Sequence, residues 1–388
     1  MAPAGKALSG GMTKALGWST KQARILTGGG RAEELYTAER GFPFEPRELP
    51  HFHLLRGTTH TQFRRWLADG RTCDSLVGAW SRPLFTNYSE QTTDADERVF
   101  NVQTRSMFID LRVPTTRPRF EHAGALGALS GEELCLLARQ HVFGGYTLPS
   151  EPGLPLVCTR HHAADWNFVG VRRPRPNKWR VELAPAESGP CQEWQELAFA
   201  QDKAGRSYYM ERWKRVEGDG AGSGPSLVLR SCTLPDSLVL LVGDHFAFMR
   251  ARQGCPLVPH PRPESSPPPP ASLIELVDSA VARGDADEAR AWLGLQGGHG
   301  RVSSGWQIDL CTHPWLEGTR LLSPEMVFGA VVDGRVVGEV HADLRAKALA
   351  DGADNMVVID GEAWELFDRS GLPSAEDVLR VLRGAERH

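Results

Sequence analysis

The sequence has no stretch of about 18 consecutive apolar residues, so no membrane-spanning helix is expected. It has no dense Lys/Arg block either. With a net charge of −4 over 388 residues, that argues against a nucleic-acid partner, which calls for a basic face. The seven cysteines (Cys73, Cys135, Cys158, Cys191, Cys232, Cys255 and Cys311) are odd in number, widely spaced and never in Cys-x-x-Cys. Neither a disulfide framework nor a structural zinc site is expected, and a reducing compartment is. Gly-x-Gly-x-x-Gly, Walker A, Gly-x-Ser-x-Gly and His-Glu-x-x-His are all missing, so no cofactor is expected. His51-Phe52-His53 with His60 nearby is the one weak metal signal. It lacks the three or four converging ligands that zinc needs, and no metal residue is assigned.

Acidic residues are absent before Glu33, while Lys6, Lys14, Lys21, Arg24 and Arg31 stand among small and hydroxyl residues. That composition fits an organelle transit peptide and fits an unstructured basic leader equally. Residues 1–50 are therefore expected to be a flexible leader, and the location cytoplasmic, or plastid or mitochondrial if the leader is a transit peptide. Hydrophobic content of 41% and charged content of 24% are those of an ordinary globular protein long enough for two cores.

What is present is punctuation and alternation. Residues 256–270 hold Pro256, Pro259, Pro261, Pro263 and the run Pro267–Pro270, which predicts an extended linker between a barrel over 70–255 and a smaller α+β module over 271–388. Before the linker, strands are expected over Val99–Val113, Leu156–Val171, Lys178–Leu183, Ser207–Val216, Ser226–Ser231 and Leu238–Arg250. One helix is expected from the Ser130-x-x-Glu133 capping box, with Leu134, Leu137, Ala138 and His141 along one stripe and Gly144-Gly145 as its stop. After the linker, Ser272-x-x-Glu275 starts a helix stopped by Gly284, and a second helix covers Asp285–Leu293. A strand over Gly305–Thr312 follows. Asp333-Gly334 and Asp360-Gly361 mark two type I′ hairpins, and Ser374-x-x-Asp377 caps a last helix. The expected fold is mainly β: an antiparallel barrel plus an α+β module that could form a second, incomplete barrel.

Gly78-Ala79-Trp80, at the head of the first expected strand, resembles the Gly-x-Trp signature of the lipocalins. In that family the Trp closes one barrel end beneath an Arg from the last strand, a role for which Arg250 or Arg252 is available here. Several segments are similar to a little-studied lipocalin-like family of bacteria and algae. They are Met107-Phe-Ile-Asp-Leu-Arg-Val-Pro114, Cys158-Thr-Arg-His-His-Ala-Ala-Asp165, Tyr209-Met-Glu-Arg-Trp213, Leu240-Leu-Val-Gly-Asp-His-Phe246 and Gly305-Trp-Gln-Ile-Asp-Leu310. There is a looser similarity to a fungal kinase-interacting family built from two β-barrels. The likeness covers roughly residues 75–325 and implies a fold rather than a chemistry.

Strand alternation nominates the chemical groups. Phe108, Asp110 and Arg112 share one face, opposite Met107, Ile109, Leu111 and Val113. Tyr209, Glu211 and Trp213 share another. His161, Asp165 and Asn167 are expected on one side of their strand and His162, Trp166 and Phe168 on the other, with His161 and Asp165 about 13 Å apart. Leu241, Gly243, His245, Ala247 and Met249 form an apolar row in which His245 reads either as a hydrogen-bonded core residue or as an acid/base group. The candidate catalytic set is His161, Asp165, His245, Asp110 and Glu211, and the candidate ligand-binding set is Arg112, Trp80, Phe108, Tyr209 and Trp213.

Three readings stay open. The barrel binds a small apolar or amphipathic organic molecule, with Trp166, Phe168 and Phe246 also on its wall. Alternatively, His and carboxylate residues make it a metal-free acid/base enzyme (a lyase, isomerase or hydratase), with Arg112 holding an anionic group. In the third reading it is a non-catalytic module for a protein partner.

Overall fold

The computed structural model describes residues 58–87, 96–151, 154–167, 177–184, 190–198, 207, 209–220, 224–234, 236–252, 273–350 and 352–384. The basic leader, the Pro-rich stretch, His51, His53, the His60 side chain and Phe168 lie outside the described residues.

Eight strands close into an antiparallel barrel in chain order. They are β1 (Gly78–Asn87), β2 (Glu97–Gln103), β3 (Met107–Pro114), β4 (His141–Glu151), β5 (Leu154–Asp165), β6 (Asn177–Leu183), β7 (Glu193–Ala198) and β8 (Tyr209–Arg215). Closure is made by β1 against β8, from Trp80 opposite Arg215 to Asn87 opposite Tyr209. The barrel therefore ends at Arg215, and the expectation that its strands run on to Arg250 is corrected. A closed barrel leaves no edge for a ninth strand to join.

The strands that follow form a second sheet: β9 (Ser226–Ser231), β10 (Leu238–Val242), β11 (His245–Arg250), β12 (Gln296–Arg301), β13 (Gln307–Cys311), β14 (Val327–Val332), β15 (Arg335–Gly338), β16 (Met356–Ile359) and β17 (Glu362–Ser370). Their spatial order is β13-β12-β11-β10-β9-β17-β16-β14-β15. Three strands from before the Pro-rich stretch and six from after it thus share one sheet. Leu238–Arg250 is a hairpin rather than one strand, because Gly243 at φ +61 begins a two-residue turn with Asp244 between Val242 and His245. Asp333-Gly334 (φ 49 and 81) and Asp360-Gly361 (φ 52 and 74) have the paired positive φ of type I′ turns, as the sequence predicts.

Six helices appear among the described residues: α1 (Thr58–Ala68), α2 (Gly131–Leu137), α3 (Leu273–Ala282), α4 (Ala286–Trp292), α5 (Ala342–Ala350) and α6 (Ala375–Leu382). Helix α2 carries the expected reciprocal capping box between Ser130 and Glu133. Ser130→Ala should cost about 1 kcal/mol in urea unfolding, since it strands a first-turn N–H. His141 and Gly144-Gly145, expected to end this helix, instead lie in β4. The glycines serve close packing. A Cβ on Gly145 would fall on the His161 carbonyl oxygen, and one on Gly144 would meet Ile109 at 2.9 Å.

The two sheets pack on each other. The outer face of the barrel (Val102, Ile109, Leu111, Val113) shares one core with Leu238, Leu240, Val242, Ala247 and Met249 of the second sheet, and α2, α3 and α4 flank it. The other face of that sheet wraps α6 through Val378, Leu379 and Leu382, with Phe246, Phe248 and Trp306. Leu241 belongs to this second face, because the turn at Gly243 breaks the row predicted to link it with His245. Phe246 lies on it too, away from the barrel wall. The apolar row of β3 therefore points out of the barrel, and Asp110 and Arg112 point in.

Candidate functional site

Cross-strand register fixes what enters the lumen. Asn101 of β2 sits opposite Trp80 on one side and Asp110 on the other. Glu196 of β7 sits opposite Glu211 of β8 and Val181 of β6. Directly opposed residues share a face, so these side chains converge from around the barrel.

They form an ion-pair lattice. Arg112 binds Asp110 through two bonds of 2.7 and 3.0 Å, and reaches both Glu211 oxygens at 3.2 and 3.3 Å. Arg82 joins Glu211 at 3.0 Å to Glu97 at 2.7 Å. Arg160 is the least committed cation, 3.5 Å from Asp110 and 3.9 Å from Glu196. Its guanidinium lies over the Phe108 ring at 4.4 Å and the Trp179 ring at 5.2 Å. Tyr209 donates its hydroxyl to Glu196 at 2.9 Å. All of the charged residues in this lattice are at most 9% exposed.

Desolvation of so many charges costs several kcal/mol per ion, so the lattice is not a device for stability. Its charges set each other's protonation. Burial pushes the Asp110 carboxyl up, but the Arg112 charge and hydrogen bonds, backed by Arg160, hold it below its ordinary value. Burial and then the neighbouring Glu211 charge raise Glu196 to about 7, against the pull of Arg160 and Arg112. One carboxyl is thus poised near neutrality while its cross-strand neighbour is bound by two guanidiniums. A buried carboxyl raised towards neutrality is a feature that acid/base sites use.

Below the lattice lies an indole floor. Trp194 stacks between Trp179 at 5.4 Å and Trp213 at 5.5 Å, and Trp80 meets Trp194 edge-on at 5.9 Å. The Trp80 indole donates to the Leu76 carbonyl at 2.9 Å, closing this end. Arg215 lies over the Trp80 ring at 4.2 Å and pairs with Asp219. The cation on Trp80 is therefore Arg215 from the closing strand, and the expectation of Arg250 or Arg252 is corrected. Those two lie over Phe248 and Trp166. Gly78 is required here, since a Cβ would meet the Arg215 guanidinium, the Asp219 carboxylate and the Trp80 ring within 3 Å.

A second polar group sits beside Phe108 and Phe143. His162 Nδ1 is 2.6 Å from Asp165, His141 Nε2 is 3.2 Å from it, and the Asn167 backbone N–H donates to it at 2.9 Å. The His162 ring stacks on Phe143 at 4.5 Å. Burial raises the Asp165 carboxyl, but the bonds from both histidines outweigh it and hold the group well below the carboxylate range.

The structure thus gathers Asp110, Arg112, Glu211, Tyr209, Phe108, Trp80 and Trp213 in one lumen, as their alternation predicts. It corrects two histidines. His161 faces outward, where its ring meets Phe63 of α1 at 5.3 Å, and burial lowers it to about 3. The cause is a bulge: Gly144 pairs Ala164 but Gly145 pairs His162, so Ala163 is extra and His162, not His161, joins Asp165. His245 lies in the second sheet, with its Nε2 on the Glu217 carbonyl at 2.7 Å and its Nδ1 on His299 at 3.1 Å, which is the core-residue alternative. Trp166 lies in the core outside the barrel, with its indole on the Ala138 carbonyl at 3.2 Å.

Sequence reasoning missed Arg82, Glu97, Asn101, Arg160 and Glu196. Glu196 had a signal. Trp194, Glu196 and Ala198 alternate inward with Gln195 and Leu197 outward, a strand whose buried row contains a carboxylate. Among the described residues no group of three or more His, Cys, Asp or Glu side chains is arranged to hold a metal ion, and no helix is long and apolar enough to cross a membrane.

Fold and site together define a closed eight-stranded antiparallel barrel with a buried, charged lumen. No protein-family profile matches the chain, and no curated protein or solved structure is detectably similar to it.

Proposed function

We propose that the chain is a lipocalin-like barrel whose lumen carries out acid/base chemistry on a small polar molecule, with Glu196 as the group that gives and takes the proton. The observation that carries this reading is the Glu196–Glu211 pair, a carboxyl at about 7 facing one tied to Arg82 and Arg112. The lipocalin likeness is supported by Gly78-x-Trp80 capped by an Arg from the closing strand. The polar alternative is favoured over an apolar ligand because the lumen's apolar rings are already engaged: the indoles stack on one another, Phe108 carries the Arg160 guanidinium and Phe143 stacks on His162.

Glu196 replaces His161 and His245 as the proton carrier, Tyr209 orients it, and Arg160 faces the reacting molecule. Infrared difference spectra across pH 5–9 test this, with the band assigned by Glu196→Gln. A protonated-carboxyl band that vanishes with a midpoint near neutrality, and is missing from the variant, is the expected result. A lumen in which every carboxyl has ionised by pH 5.5 would sink the proposal.

A further inference from the structure

The lumen's hydrogen-bond inventory is unbalanced. Among the described residues, Asn101 has neither its amide nitrogen nor its carbonyl oxygen partnered, although the residue is 0% exposed. Arg160 Nε and the indole N–H groups of Trp179, Trp194 and Trp213 are buried without a partner as well, as is Glu196 Oε2. The unpartnered set is thus five donors (Asn101 Nδ2, Arg160 Nε and three indoles) against one fixed acceptor, Asn101 Oδ1, while Glu196 Oε2 accepts when the carboxyl is ionised and donates when it is protonated. A buried donor without an acceptor costs about 1–3 kcal/mol, so an inventory of this kind selects its complement. That complement is a molecule rich in oxygen acceptors and poor in donors.

Charge points the same way. Arg82, Arg112 and Arg160 balance Glu97, Asp110 and Glu211 one for one when Glu196 is protonated. The guanidinium with the longest ion-pair contacts, Arg160, is the one that stands beside Glu196. An incoming anion meets a cation with an unused N–H and an acid able to stay neutral. Asn101, reached across Asp110 from Arg160, offers a donor and an acceptor to a second oxygen function.

We infer that the lumen takes a short hydroxy- or keto-carboxylate, its carboxylate on Arg160, its hydroxyl or carbonyl oxygen on Asn101, and its transferred proton exchanged with Glu196. This rests on the acid/base reading above and adds the substrate class. The anion and an ionised Glu196 repel, so binding takes up a proton, and affinity falls up to tenfold per pH unit above neutrality.

The experiment titrates intrinsic Trp fluorescence and thermal stability of the full chain with four probes. L-lactate and pyruvate represent the proposed class, erythritol is a neutral polyol, and decanoate is a carboxylate with a long apolar tail. Millimolar lactate and pyruvate should quench the indoles and raise the melting temperature at pH 6, far more weakly at pH 9. Erythritol and decanoate should do neither. Asn101→Leu removes an amide that holds nothing in the fold, so it should melt no lower than the parent while losing at least tenfold in affinity for both acids. Glu196→Gln should flatten the pH dependence.

Erythritol or decanoate binding as well as lactate would overturn the substrate class, as would failure of both lactate and pyruvate to bind. In either case the infrared midpoint of Glu196 decides separately whether the acid/base reading survives. A midpoint near neutrality leaves that reading standing, and one in the ordinary carboxylate range removes both.

Discussion

Lowering the pH from 7 to 5 should destabilise the protein by several kcal/mol, with a net uptake of about two protons on unfolding. Three buried histidines drive this. Burial lowers His161 to about 3. His299 falls to about 3 through burial, then the neighbouring His245 and Arg301, and His313 falls to about 3 through burial, with Arg117 and Arg252 adding to it. In the unfolded chain each titrates near 6.5, so between about 6.5 and 3 the unfolded state holds the extra proton and acid favours it. Each histidine costs about 2 kcal/mol at pH 5.

Glu196 works the opposite way. Its folded-state value of about 7 lies above that of an unfolded Glu, so its contribution is fully present below about 4.3 and lost as pH rises through 7. Three protons against one leaves two, a slope of about 2.7 kcal/mol per pH unit. The raised carboxyls of Asp309 and Asp368, both lifted mainly by burial, reduce the slope further towards pH 4. Urea midpoints at pH 7, 6 and 5 measure it. His161→Phe keeps an aromatic ring against Phe63 and should roughly halve the slope. A flat profile, or one indifferent to that substitution, would show that these rings are not neutral in the folded state.

Arg112→Ala should destabilise the barrel by about 3–5 kcal/mol, because among the described residues it leaves Asp110 only its 3.5 Å contact with Arg160 and Glu211 only Arg82, all of them buried. Arg301→Ala, which removes an exposed pair with Asp309 at 3.8 Å, should cost under about 1 kcal/mol. The contrast tests burial rather than charge. Asp110→Asn added to Arg112→Ala should recover part of the loss, since the poorly paired charge goes with it. Equal costs for the two arginine variants in urea unfolding would mean that water reaches the lattice freely.

Much of this was legible because strands alternate. Asp110, Arg112 and Phe108, and likewise Tyr209, Glu211 and Trp213, follow from a period of two with no knowledge of partners. The Asp-Gly hairpins and the helix caps are equally local. What failed was what a single strand does not encode. One extra residue at Ala163 exchanged His161 for His162, and alternation has no means of announcing a bulge set by two glycines on the neighbouring strand. Glu196 lay in a readable alternation with Trp194 and Ala198, but its significance depended on Glu211 opposite it, which a single strand does not encode. The barrel's end was hidden for the same reason, since β9 to β11 look like any other strands until their sheet partners are known.

Those partners give the chain an unusual schedule. The barrel is complete once Arg215 has been synthesised, but β9 has β17 as its neighbour, roughly 130 residues further on. During translation the β9–β11 meander therefore leaves the ribosome with both edges open, β11 waiting for β12 and β9 for β17. Its apolar row Leu238, Leu240 and Val242 has only the outer wall of the finished barrel to rest on. The finished barrel offers the meander a wall to pack on before the last hairpin arrives to finish the sheet.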